Sequence, residues 1–305
     1  MSDLVSYHAV PVESVPVDVS LAYSVYVKID GKFILLRQKD DVLEESRVRR
    51  LMEKNVTAAY VQKADWTAFV QSLESALNER GMEGSPEVEA LGVRSLIYAY
   101  WKTLEERGEL TQPVYEKLSA LAQRMPIAIS KDRALAFGLL KRASDPSMYF
   151  ANHAVNTAIY SISVGLKLGL TISQLQTLTL AASVCNIGIL KVPKEILYKA
   201  GPLLEEEKAI VEKHVQYGEE ILKLLLAAPE VVRAVAQHHE RMDGKGYPKG
   251  LKGQGIDLYA RIITIGETYS ALTSACPWRP AVSPTEALEN MNRSVGKFDP
   301  EIFQV

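Results

Sequence analysis

Only two cysteines occur in 305 residues, Cys185 and Cys276. They are too few and too far apart for a disulfide framework, which fits a reducing cytosol and predicts a cytoplasmic chain. No stretch reaches 18 consecutive apolar residues, so no membrane span and no membrane partner are expected. The start, MSDLVSYHAVPVESVP, has neither a basic leading segment nor a long apolar run and does not read as a signal peptide. Net charge is only −2, so no global basic field recruits nucleic acid, although a local patch can still hold a phosphodiester. Internal repeats and low-complexity tracts are also missing. What is present is ordinary globular material: 47% hydrophobic and 24% charged residues are enough for a sizeable core.

Residues 14 to about 75 differ in pattern from the rest. SLAYSVYVKIDGKFILLRQ carries two β-rich runs around Asp30-Gly31, a hairpin signal. ESRVRRLMEKN reads as a short helix with Val48 and Leu51 inward and Asn55 near its end. VTAAYVQ reads as a strand, and ADWTAFVQSLESALNERG as a helix stopping at Gly81. The expected order is strand, strand, helix, strand, helix, a small α/β module without a catalytic constellation and suited to sensing or docking. From Ser85 the pattern is helical, with Pro86 just inside a Ser N-cap. Further helices are predicted from Asp145-Pro146 to near Gly169, from the Thr171/Gln174 capping box, through GPLLEEEKAIVEKHVQYGEEILKLLLAA, from Pro229, through LYARIITIGETYSALTS, and from Ser283 to near Gly296.

Of the five histidines, four fall in the helical second half. His8 belongs to a start expected to be disordered. His153 shares a helix face with Phe150, Thr157, Tyr160 and Val164, and His214 shares one with Ile210, Val211, Gly218, Ile221 and Leu225, so both point inward. His238 and His239 end a helix whose apolar face is Val231, Val232 and Val235. Inward histidines are commonly hydrogen-bonded core residues. Imidazole is also the commonest neutral metal ligand, and separate helices facing one core are a usual way to build a metal site. Spacing alone, without a close HxxxH or HExxH pair, leaves both readings open.

The run HHERMDGKGYPKGLKGQGIDLYARI followed by YSALTS resembles the HD-GYP domain, a bacterial branch of the HD metal-dependent phosphohydrolases. GILKVPKEILYKAGPLLEEEKAIVEKHVQYGEEIL and the closing GKFDPEIF fit the same pattern, which covers about residues 147–305. The resemblance implies an all-helical domain that hydrolyses cyclic di-GMP with two or three metal ions, often iron or manganese. It makes His153, His214, His238, His239 and Glu267 the candidate metal ligands. Gly246, Tyr247 and Pro248, with Asp243 and Gly244 before them, match the GYP signature.

The departures fall on the chemistry. Cys185 and Asn186 stand where the family has its His-Asp pair, and Ile189 stands where it has a Lys. Glu267 replaces a metal-binding Asp, Ser270 a further Asp, and Tyr149 an acidic ligand that some members carry. In the family's Arg-Pro-Tyr run, Arg279 matches the closing basic residue, while Cys276 and Trp278 replace the leading Arg and the Tyr. Asn186 is neutral and cannot bridge two cations as a carboxylate does. Cys185 lies on the apolar stripe Leu178–Ala182–Cys185, which predicts a buried inert thiol; thiolate ligation is the alternative.

The resulting expectation is a mainly α protein. A small α/β module (residues 1–82) and connecting helices (83–144) precede a degenerate HD-GYP bundle (145–305). No residue is assigned a catalytic role. Zero or one transition-metal ion (iron, manganese or zinc) is expected. The loop residues Arg241, Asp243, Lys245, Gly246, Tyr247 and Pro248, with Arg279, are expected to contact cyclic di-GMP or a signalling protein partner. Glycines let backbone amides approach an anion, Tyr247 can stack on guanine, and Arg279 can pair with phosphate. The alternatives are a weak single-metal phosphodiesterase and a nucleotide-independent scaffold.

Overall fold

The computed structural model describes residues 7–81, 84–140, 149–276 and 278–305. The N-terminal part contains β1 (Tyr7–Pro11), β2 (Val25–Ile29), β3 (Lys32–Arg37), α1 (Glu45–Glu53), β4 (Ala58–Gln62) and α2 (Trp66–Gly81). The sheet order is β1-β4-β2-β3, with every neighbouring pair antiparallel. Asp30 and Gly31 join β2 to β3 with φ of 49° and 81°. A two-residue hairpin turn of this hand requires positive φ at both positions, which Gly tolerates without strain and Asp more readily than most residues.

β1 corrects the expectation for the start of the chain. Tyr7 to Pro11 pair with Gln62 to Ala58, and His8 is buried, with Nε2 2.9 Å from Glu106 and its ring edge-on to Trp66 at 4.5 Å. The segment is ordered by a partner strand fifty residues away, which no local pattern announces.

The rest is helical. α3 (Pro86–Arg107) and α4 (Gln112–Lys131) lead to α5 (Ala134–Leu140) and α6 (Tyr149–Lys167). The predicted helix start at Asp145-Pro146 lies outside the described residues. α7 (Ile172–Val184) opens on the Thr171/Gln174 capping box and ends in a 3-10 turn, Ile187–Lys191. Then come α8 (Lys194–Leu197), α9 (Glu205–Glu212), α10 (His214–Leu224), α11 (Pro229–Gln237), α12 (Leu258–Thr273), α13 (Pro284–Arg293) and α14 (Pro300–Phe303).

α6 is the centre of the bundle, flanked by α3, α7 and α12. α3 ties the two parts of the chain together. Its Trp101 donates from Nε1 to the Ser183 carbonyl at the end of α7, and Tyr98 donates to the Ala9 carbonyl in β1. Arg94, almost fully buried, reaches Glu13 at 3.7 Å and Asn152 at 3.4 Å, beside His153. No described helix is long and apolar enough to cross a membrane.

Candidate metal centre and glycine-rich loop

Three elements deliver the four histidines. α6 carries His153, α10 begins at His214, and α11 ends just before His238 and His239. The 3-10 turn after Asn186 packs directly on the start of α10. A Cβ at Gly188 would lie 1.9 Å from the His214 carbonyl oxygen, so only glycine permits that approach.

His214, His238 and His239 converge, with one ligand atom from each within 4.8 Å of the others. Their tautomers follow from their partners. His214 Nδ1–H donates to the Val211 carbonyl and His238 Nδ1–H to the Val235 carbonyl, both at 2.7 Å. A carbonyl only accepts, so each Nδ1 carries the proton and each neutral ring leaves Nε2 bare. Burial pulls the pKa of all three rings down: His214 below its ordinary value, His238 to about 4, and His239 well below. At neutral pH the trio is therefore uncharged.

The two bare Nε2 atoms face each other at 3.4 Å. Lone pairs at that distance repel unless a cation lies between them. Two nitrogens bound to one tetrahedral ion at about 2.1 Å stand about 3.4 Å apart, so the spacing fits a zinc-like ion without rearrangement. The donor set fits a single transition metal, and backbone carbonyls orient two of its imidazoles from behind.

His153 and Glu267 form a separate arrangement. His153 Nε2 lies 3.2 Å from Glu267 Oε1 and Nδ1 lies 2.9 Å from Ser270 Oγ. The carboxylate accepts, so Nε2 carries the proton and Ser270 donates to Nδ1. Burial works against the Glu267 charge, but the His153 hydrogen bond and nearby positive charge, Lys297 included, outweigh it and hold the carboxyl well below its ordinary range. The tautomer of His153 is thus the reverse of those of His214 and His238.

Cys185 and Asn186, expected at the place of the family's His-Asp pair, bring no charge to it. Cys185 is buried, its thiol donates to the Ala182 carbonyl at 3.3 Å, and burial pushes its pKa far up. The Asn186 amide turns toward Cys185 Sγ at 3.6 Å, and Ile189 is buried. Tyr149 stacks flat on His153 at 5.2 Å, and Tyr247 stacks on His239 at 4.8 Å.

The glycine-rich loop is held from within. The buried Glu240 carboxylate accepts from the amides of Lys249 at 2.7 Å and Leu251 at 2.9 Å. Arg241 grips Asp243 with Nε at 3.0 Å and Nη2 at 2.8 Å, which keeps the Asp243 carboxyl well below the usual range. The Lys245 amide also donates to Asp243. A Cβ at Gly246 would lie 2.5 Å from the Arg241 nitrogen and the His239 carbonyl, so this glycine permits the loop to fold back on the histidine pair. Tyr247–Pro248 is a cis peptide bond. The Arg279 guanidinium donates to the carbonyls of Ala271 at 2.5 Å, Leu272 at 3.3 Å and Pro280 at 3.0 Å, closing the end of α12, and its charge acts on Tyr149, which stacks on His153.

Sequence reasoning did not single out Lys297 or Glu240 as site residues, and it named Ser270 only as standing in place of an Asp. Lys297 donates to Thr268 at 3.1 Å, and its charge acts on Glu267. The closing GKFDPEIF carried a signal for Lys297; nothing local marked Glu240 as the pin of its own loop.

This helical bundle, with a lone histidine and an adjacent pair meeting beneath a glycine-rich loop, is of the HD phosphohydrolase class. The HD domain family matches residues 118–302, and the chain belongs to that family, in its HD-GYP branch. Among curated relatives, the 3'3'-cGAMP-specific phosphodiesterase 1 of Vibrio cholerae is 33% identical over 196 residues, covering 63% of this chain and 43% of that protein. A cyclic di-GMP phosphodiesterase of Pseudomonas aeruginosa is 32% identical over 190 residues, covering 62% and 44%. The chain spans under half the length of these relatives. The solved structure of Bd1817, an HDG"Y"P protein from Bdellovibrio bacteriovorus, superposes with a TM-score of 0.71 over 98% of this chain and 97% of that one, at 22% identity. That likeness extends the shared fold to the N-terminal part.

Proposed function

We propose that this protein acts in cyclic-dinucleotide signalling with little or no hydrolysis, as a nucleotide receptor or a protein-docking module. In this reading it holds one transition-metal ion on His214, His238 and His239. The observation that carries it is the segment that packs on the start of α10 beside His214: Cys185, Asn186 and Ile189 offer no anion there. Two dications about 3.5 Å apart repel by about 20 kcal/mol at an effective dielectric near 20. A bridging carboxylate offsets that in a binuclear centre, and Asn186 cannot supply one. Glu267 is engaged with His153.

The three imidazoles would hold the ion, and Val211 and Val235 would fix two of their tautomers. His153 and Lys297 would keep Glu267 charged at the edge of the site. Tyr247 would cover the cluster through its stack on His239. A bound ion would supply Lewis acidity and lower the pKa of a coordinated water.

One observation favours a second reading. Three imidazoles leave a fourth tetrahedral position, the arrangement of single-ion hydrolytic centres. A weak single-metal phosphodiesterase follows from it. Metal analysis of protein purified without chelator, together with turnover of cyclic di-GMP and 3'3'-cGAMP, separates the two. One ion without turnover supports the receptor or docking role, and nucleotide titration then tells receptor from docking module. One ion with turnover abolished by His238→Ala supports the phosphodiesterase. Two tightly held ions overturn both.

A further inference from the structure

A cavity of about 830 Å³ lies among the end of α4, α5, α6, α12 and the segment leading to α13, and no histidine lines it. That volume is in the range of small-molecule sites, roughly 300–1,000 Å³. Its walls are mostly apolar, with Ala136, Leu140 and Val164 among them, and Phe137 stands 72% exposed at its margin. Two cations line the same space, Arg133 and Lys167. Both are exposed, and neither is paired with a carboxylate among the described residues. Asn156 is on the wall too.

An apolar space with two exposed cations selects its occupant. A cyclic dinucleotide is a poor fit, because a mostly apolar wall would leave much of the hydrogen-bonding capacity of its two bases and two phosphates unmade. A long aliphatic chain with a single anionic end fits: the chain covers the apolar wall, and the carboxylate faces Arg133 and Lys167. The geometry points to a binding site for a long-chain aliphatic carboxylate, separate from the metal centre. α6 runs past both, with His153 at one and Asn156 three residues later at the other.

The test uses hexadecanoate and its neutral counterpart hexadecanol, each titrated against a fluorescent apolar probe bound to the full chain. Wild type is expected to bind one hexadecanoate. Arg133→Glu with Lys167→Glu, both at exposed positions, should weaken hexadecanoate about tenfold or more while leaving hexadecanol within about twofold. Val164→Trp, which fills the cavity, should weaken both ligands. Absence of hexadecanoate binding, or equal loss of both ligands on charge reversal, overturns the proposal. If Val164→Trp does not fold, the charge-reversed protein alone decides.

Discussion

His214 and His238 bring their Nε2 atoms to 3.4 Å while each Nδ1 donates to the carbonyl three residues before it, Val211 or Val235, at 2.7 Å. The same local device occurs at the start of α10 and at the end of α11. It sets both tautomers before any ligand arrives, so two lone pairs are aimed at one point. In the nearby His153 the proton is on the opposite nitrogen, because Glu267 accepts it. The expected set of ligands is thus split between a trio ready for a cation and a pair that satisfies itself.

Metal content is the first expected consequence. Purified protein should carry at most one tightly bound transition ion per chain, and His238→Ala should lose it while His153→Ala retains it. Elemental analysis of the three proteins checks this; loss of the ion from His153→Ala as well would place His153 among the ligands.

The pH dependence of the metal-free protein follows from the same burial. His238 titrates at about 4 when folded and near 6.5 when unfolded, and His214 and His239 are shifted the same way. The unfolded chain therefore binds more protons between those values. Stability is full above pH 6.5 and is lost as pH falls through 6.5 toward 4. His238 alone accounts for on the order of 2 kcal/mol between pH 6.5 and 5. Urea midpoints at pH 7.5 and 5.0 should differ in the wild type and differ less in His238→Phe.

Restoring the family's residues should act in order. Cys185→His with Asn186→Asp is expected to raise metal stoichiometry toward two. Adding Ile189→Lys should then raise the rate of cyclic-dinucleotide hydrolysis. Turnover that rises while stoichiometry stays at one would show that a bridging carboxylate is not what the present site lacks.

Glu240 should matter to the loop more than its neighbours do. Glu240→Gln leaves both amides without a charged acceptor and one of them, Lys249 or Leu251, without any acceptor, at a cost of about 1–3 kcal/mol. Hydrogen exchange at those two amides should rise well above that of the α11 interior. Arg279→Ala should instead lower global stability by about 1–2 kcal/mol through the end of α12, with any change in nucleotide affinity no larger than that loss explains.

Arg94 joins the N-terminal part to the bundle. Arg94→Met removes one partner of a buried pair with Glu13 and should cost about 3–5 kcal/mol. Chemical denaturation measures it; a change below 1 kcal/mol would mean that Glu13 finds a partner of equal worth.

Much of this was legible in the chain itself. Periodicity and caps marked the β2–β3 hairpin, the Thr171 box and the helices that carry His214 and the histidine pair, because those signals are local. The family match rests on a loop whose glycines and histidines are contiguous, so it too is readable from sequence. The expectation that Cys185 and Asn186 stand in place of the family's His-Asp pair is likewise read from sequence alone. Contacts between distant segments required the tertiary structure. His8 is ordered because β4 pairs with β1 and Glu106 reaches it. The tautomers of His214 and His238 are decided by where two backbone carbonyls fall, and that of His153 by Glu267, 114 residues away. Arg279, expected from sequence to meet a phosphate, donates to the carbonyls at the end of α12. A guanidinium binds the acceptors that packing leaves within reach, and only the folded chain determines which those are.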